Sequence, residues 1–323
     1  MNKKAEFLKL YTGLRREAAI KECTLISNTN DPCDGKIVSA HSIQRGKILK
    51  SISKNGDVFE LSFEIVDDVV PTIQFRKVGI KKFSTFSGFC QKHDKLIFQP
   101  IEDRPFINNA EQQLIYAYRA IAKELHTKKE SRRLNSIFVK DHVQNMTLIQ
   151  DINDLRRLAD FTYSKLIENK FDALVHYSFT LNEYYPIACN SIFIPYFDDE
   201  GNNVFSSSEY TRIQGETLPT DESPFITLNV FPEDGRTYVL ISHVASRLNE
   251  FKFLQNLFNK PIEDFTLSIS QMMLTHCENL GFGPDYVTSN FTPEERSQIG
   301  KFFKTTMEDG RKFYASDINL FRN

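Results

Sequence analysis

Tryptophan is absent from this 323-residue chain, and cysteine is scarce at five residues. An odd, thinly spread set of cysteines excludes a disulfide framework. It fits thiols kept reduced, as in a cytoplasm, or recruited as metal ligands. No run approaches the roughly 18 consecutive apolar residues of an ordinary membrane span. The opening residues soon meet Arg15, Arg16 and Glu17 and so lack the apolar core of a secretory signal. There is no phosphate-cradling glycine loop and no Gly-x-Ser-x-Gly turn, which removes the commonest nucleotide-binding and serine-hydrolase readings. No internal repeat or low-complexity segment interrupts the chain. These absences leave a cytoplasmic globular protein with no membrane partner.

Phenylalanine is plentiful instead, with 28 residues beside 12 tyrosines, so the aromatic cores must be built from these two. Hydrophobic residues make up 41% and charged residues 25%, the balance of a globular protein long enough for two cores. Charge is distributed unevenly. Residues 1–105 carry 18 Lys and Arg against 13 Asp and Glu, whereas residues 171–323 carry 11 against 21. A basic front suits an anionic partner such as nucleic acid; complementary packing of the two halves, or of two subunits, explains the asymmetry equally well.

Periodicity divides the chain into three. In residues 5–22, Phe7, Leu8, Leu10, Tyr11, Leu14 and Ala18 fall largely on one helical face. Strands are expected at 37–43, 58–65 and 72–78, the last two pairing as a hairpin around Asp67, Asp68 and Pro71. A helix should open at Cys90 and stop at Pro100. From 106 to 171, Leu114, Tyr118, Ile121 and Leu125 begin a helical pattern that leads into a second, giving an αα-hairpin capped near Asn108 or Asn109. Such a unit serves as a spine or as a seam for a second copy. Beyond 172 an apolar strand lies between Pro186 and Pro195, and a hairpin joins 225–231 to 237–243. Helices follow at 250–259, 265–280 and 293–306, with Gly281 placed to end the second.

One constellation carries chemistry. Cys23 and Cys33 form a first pair, and Cys90 and His93 a second, opening a helix on which residues three apart share a face. Two ligand pairs separated by a strand-rich insert can build one tetrahedral site, and thiolates with imidazole suit Zn2+. The alternative is a cluster of buried reduced cysteines. His41 lies between the pairs, and Lys77, Lys81, Lys82, Lys92 and Lys95 offer a basic rim. The rear carboxylates, His176, Cys189, His243, His276 and Cys277 show no spacing that assigns them a role.

On Cys23, Cys33, Cys90, His93 and the Ala40-His41-Ser42-Ile43 stretch, residues 20–100 resemble the treble-clef, HNH-type (His-Me finger) zinc domains of bacterial nucleases and anti-phage proteins. The resemblance implies a structural Zn2+, His41 as general base on a phosphodiester, and a catalytic Mg2+ or Mn2+ for which Asp94 offers an oxygen. Ala40 stands where that family has an acidic residue, and no Asn lies in Phe83–Ser87. His41 therefore has three readings: general base, fourth zinc ligand, or packed core histidine.

The expectation is an α+β protein. Residues 1–105 form an HNH-like zinc domain, 106–171 a helical connector through which copies can associate, and 172–323 an acidic α+β domain. The expected function is metal-dependent cleavage or binding of nucleic acid, with phage defence as the setting the resemblance implies; the alternative is a non-catalytic interaction or sensor protein with a structural zinc domain.

Overall fold

Alternation of apolar residues over 57–66 and 70–79 produces two strands, β2 (Asp57–Val66) and β3 (Val70–Gly79), paired antiparallel from Asp57↔Gly79 to Val66↔Val70. The computed structural model describes residues 3–25, 31–66, 70–309 and 311–322. The expected turn at Asp67 and Asp68, and Asn28–Asn30 of the first loop, lie outside the described residues. Ahead of the hairpin come α1 (Lys3–Ala18) and β1 (Ile37–His41). A π-helical turn, Arg45–Leu49, then leads into the single-turn α2 (Lys50–Ile52). After the hairpin come β4 (Thr85–Cys90) and α3 (Gln91–Glu102). Pro100 does not stop α3; it stands inside the last turn, giving up the one bond its N–H would make to the Leu96 carbonyl, and the helix closes two residues later at Glu102.

The connector is two long helices, α4 (Ala110–Leu134) and α5 (His142–Ile167). The side chain of Asn109 accepts from Gln112 N and starts α4, and Asp141 does the same for α5 through Gln144 N. Between them the backbone turns through Lys140 in the left-handed region. From Leu114 to Ala122 nearly every side chain of α4 is buried, so this helix is a central spine rather than a tether.

The rear region supplies β5 (Leu174–Leu181), β6 (Ile187–Phe193), α6 (Ser207–Gly215), β7 (Ile226–Glu233) and β8 (Arg236–Val244). It continues through α7 (Phe253–Phe258), α8 (Ile262–His276), β9 (Leu280–Phe282), α9 (Pro284–Asn290) and α10 (Pro293–Glu308). Asp234 and Gly235 both take positive φ between β7 and β8, the two-residue turn whose twist suits a hairpin. Gly281 does not end α8, which closes at His276. It sits in β9 because a Cβ there would lie 2.6 Å from the Phe83 ring.

Seven strands form one antiparallel sheet in the order β3-β2-β9-β6-β7-β8-β5, and β1 with β4 forms a separate pair. The front hairpin thus joins the rear strands through β2 and β9, at Phe59↔Phe282. The sheet divides two cores. Ala188, Ile192, Phe231 and Leu240 face α4 and the β1–β4 unit, while Ile187, Cys189, Val230 and Ile241 face the rear helices. Cover on both faces explains why β6 is buried almost throughout and reads as a continuous apolar run. The fold is a mixed α and β structure, and no helix among the described residues is long and apolar enough to cross a membrane.

Candidate metal centre

Residues 22–24 run beside β4, with Glu22 N donating to Ser87 O at 3.2 Å and Thr24 N to Gly88 O at 2.8 Å. That places Cys23 against the end of the strand where Cys90 sits. β1 pairs with β4 from Ile37↔Cys90 to His41↔Thr85, so the chain leaving the first cysteine pair returns beside the second. Cys90 caps the start of α3, and His93 lies one turn in.

The four side chains converge. His93 Nδ1 stands 3.3 Å from Cys23 Sγ, 3.3 Å from Cys90 Sγ and 3.6 Å from Cys33 Sγ. All four ligand atoms lie within 4.8 Å of one another. A tetrahedral ion with ordinary metal–sulfur and metal–nitrogen bonds sets sulfur–nitrogen edges of about 3.6 Å, so the donor set fits a metal ion at its centre. Cys23, Cys90 and His93 are fully buried, and Cys33 partly so. Burial pushes the Cys23 thiol up to about 12 and raises that of Cys33, so a cation is what would hold these sulfurs as thiolates.

Two aspartates beside Cys33 complete the centre, Asp31 inside the loop between the first cysteines and Asp34 directly after it. Asp31 Oδ2 accepts from His93 Nε2 at 3.0 Å, which fixes the proton on Nε2 and leaves Nδ1 its lone pair for a metal. Asp31 also pairs with Lys92. Asp34 accepts from Lys36 N at 3.1 Å and from Lys92 N at 3.0 Å, so it satisfies a free N–H at the opening of α3 that no side chain of the helix itself reaches. The sequence reading missed both residues. In the sequence both read only as turn residues beside Cys33, and the approach of α3 is what engages them.

His41 is not a ligand. It stands four residues along β1 from the Ile37–Cys90 pair, roughly 13 Å at the usual strand rise. Its half-buried ring makes one hydrogen bond, Nε2 to the Ile80 carbonyl at 2.9 Å. A carbonyl can only accept, so Nε2 carries the proton and Nδ1 is left as a base. Nδ1 has no partner among the described residues and is not among the buried unsatisfied atoms, so it is open to water. Burial holds the imidazole below its usual range, and the charges of Arg45 and Arg119 act the same way against the Ile80 hydrogen bond. Lys81 and Lys82, directly after Ile80, are exposed. The next residue, Ser42, is locked by Ser84 Oγ at 2.7 Å and by Asn279 Nδ2 at 2.8 Å, which fixes the end of β1 to the rear sheet.

Among the described residues only the Cys3His group gathers three or more ligand side chains, so neither His41 nor Asp94 belongs to such a group of its own. Its half-buried carboxyl is raised to about 6 by burial, which the charge of Arg119 offsets and that of Glu102 reinforces. Lys77 and Lys95 are exposed, while Lys92 is engaged with Asp31. Compared with protein-family models, curated proteins and solved structures, the chain finds no match in any of the three.

Proposed function

We propose that this protein is a metal-dependent nuclease of HNH-like type, in which a Cys3His zinc site holds the fold and His41 is the general base. The donor set of three thiolates and one imidazole favours Zn2+ over harder cations, and its closed, buried character suits a structural ion. The order of ligand loop, paired strands and ligand-bearing helix supports the treble-clef reading. The observation that carries the catalytic role is the His41–Ile80 hydrogen bond. It fixes the tautomer whose Nδ1 can take a proton from water, in a ring kept neutral by its surroundings.

In this reading Lys81 and Lys82 steer a phosphate toward His41, whose Nδ1 accepts the proton of the attacking water. Mg2+ or Mn2+, when bound, supplies charge neutralisation at the phosphate; such ions keep several waters and need only one or two protein carboxylates, of which Asp94 is the candidate. Use of that cleavage against phage is the setting the resemblance suggests.

A second reading has its own support. Ala40, only 4% exposed, packs in the core where the HNH family carries an acidic residue, so the unit lacks one of the usual catalytic helpers. The protein would then recognise nucleic acid or a protein partner without cutting. Labelled single- and double-stranded DNA and RNA, incubated with Mg2+ or Mn2+, separate the two. Cleavage by the parent that falls about 10²–10⁴-fold in His41→Ala, at unchanged zinc content, is the expected result. A parent that cuts none of these substrates, or a His41→Ala protein that cuts as fast, overturns the nuclease reading.

A further inference from the structure

Beyond α10 the chain runs through 311–317 with neither helix nor strand and then buries two side chains, Leu320 and Phe321, in the rear core. Leu320 is fully enclosed, and the Phe321 ring meets Tyr185 edge-on at 5.3 Å. Phe313 rests against Phe197, ring centroids 6.0 Å apart, so the stretch before these two anchors has a foothold of its own.

Around the anchors, side chains from three helices hold the segment. On α8 the Ser270 hydroxyl donates to the Thr266 carbonyl and accepts from Leu320 N at 2.8 Å, while Thr266 Oγ1 accepts from Asn319 Nδ2 at 3.0 Å. On α9 the Tyr286 hydroxyl donates to the Leu320 carbonyl at 2.7 Å and accepts from Arg322 N at 2.8 Å. On α10 Glu295 pairs with the Arg322 guanidinium, which lies 4.9 Å from the Phe291 ring centroid. Backbone bonds that any sequence can make, joined to pockets that only particular side chains fill, are the way a groove recognises an extended peptide.

The segment also shapes itself. Asn319 Oδ1 accepts from Phe321 N at 2.9 Å, and Arg322 Nε donates to the Asn319 carbonyl at 3.0 Å. Ser316 Oγ accepts from Ile318 N at 3.1 Å. These bonds lie wholly within residues 316–322, so the turn that fits the groove is written in the segment itself. A ligand that carries its bound shape loses less freedom on docking.

We propose that the groove between α8, α9 and α10 is a docking site for peptide segments of the form Asn-Leu-Phe-Arg, with residues 319–322 as a tethered resident that a partner protein's segment displaces. The site is independent of the metal centre and of the nuclease reading. The probe is a labelled, end-capped peptide of sequence Ser316–Arg322, titrated by fluorescence anisotropy into the full-length, metal-loaded protein. In the parent the resident holds the groove, and apparent affinity falls by the fraction of molecules in which it is vacant. Leu320→Ala/Phe321→Ala weakens the resident and should raise affinity for the peptide about tenfold, with saturable one-to-one binding. In that background Glu295→Gln should weaken binding about tenfold, the loss typical of one charged hydrogen bond, because glutamine keeps the helix cap but not the charge. A peptide with alanine at both anchor positions should bind neither protein. If the double variant melts below the assay temperature, Arg322→Ala takes its place; it loosens the resident only at its partly exposed edge, and the same order of affinities is expected. Equal affinity for parent and variant, no saturable binding to a folded variant, or equal binding of the alanine peptide would each overturn the proposal.

Discussion

The β1–β4 unit and the seven-stranded sheet solve the same stability problem by different means. The sheet buries both faces: Phe265, Leu254, Leu257, Ile269 and Met273 on the rear helices are fully enclosed against its inner side chains. The front unit has only two paired strands and one short helix of its own, and its centre is four ligand side chains. Beside the Phe86, Phe89 and Phe98 rings buried against α4, the Cys3His group could hold a metal ion and so add a staple of coordination to that area. Damage to the first should therefore be read in metal content, and damage to the second in melting temperature.

Cys90→Ser should have the largest effect. It removes a buried ligand shared by β4 and α3, and structural zinc contributes on the order of 10 kcal/mol to small domains. Loss of bound metal with unfolding of the front unit is expected, by elemental analysis and circular dichroism; a folded variant with full metal would break the comparison. Phe265→Ala is the counterpart in the sheet region. Its ring stacks on Phe179 at 4.2 Å, and truncation should cost about 3–5 kcal/mol while metal content stays whole.

Asp31→Asn should act more gently and only on the front. The His93 ring loses the carboxylate that orients it, so metal affinity should fall about 10–100-fold in a chelator competition, with the fold intact. Smallest is a pH effect in the sheet. Burial lowers His176 to about 4, against 6.5 when unfolded, with the Phe171 carbonyl partly opposing. Below 6.5 the unfolded chain takes up a proton that the native ring refuses, so stability is full above 6.5 and falls with pH. The loss should be roughly 1 kcal/mol between pH 7 and pH 5.5, and it should disappear in His176→Gln, as followed by denaturant titration.

The same contrast sets how far residues alone could be read. The four ligands were legible because cysteine is rare here and coordination demands particular residue types. The β2–β3 and β7–β8 hairpins were legible from alternation and from Asp234-Gly235. β5 and β9 were not, because β9 is three residues long and owes its strand state to β2 and β6 on either side. Pairing partners some 200 residues apart leave no local period to detect. Asp31 and Asp34 were hidden for a related reason: in the sequence they are ordinary turn residues, and only the arrival of α3 gives them work. The orientation of His41 depended on Ile80, whose contribution is a backbone carbonyl that any residue could have supplied.

The link between β2 and β9 also has a consequence in time. β2 leaves the ribosome long before its partner, since Phe59 must wait for Phe282, 223 positions later in the register. At usual synthesis rates that interval is about 10–45 seconds. During it the nascent hairpin presents an unpaired edge to everything around it. Order of emergence thus makes the last quarter of the chain the step that closes the first.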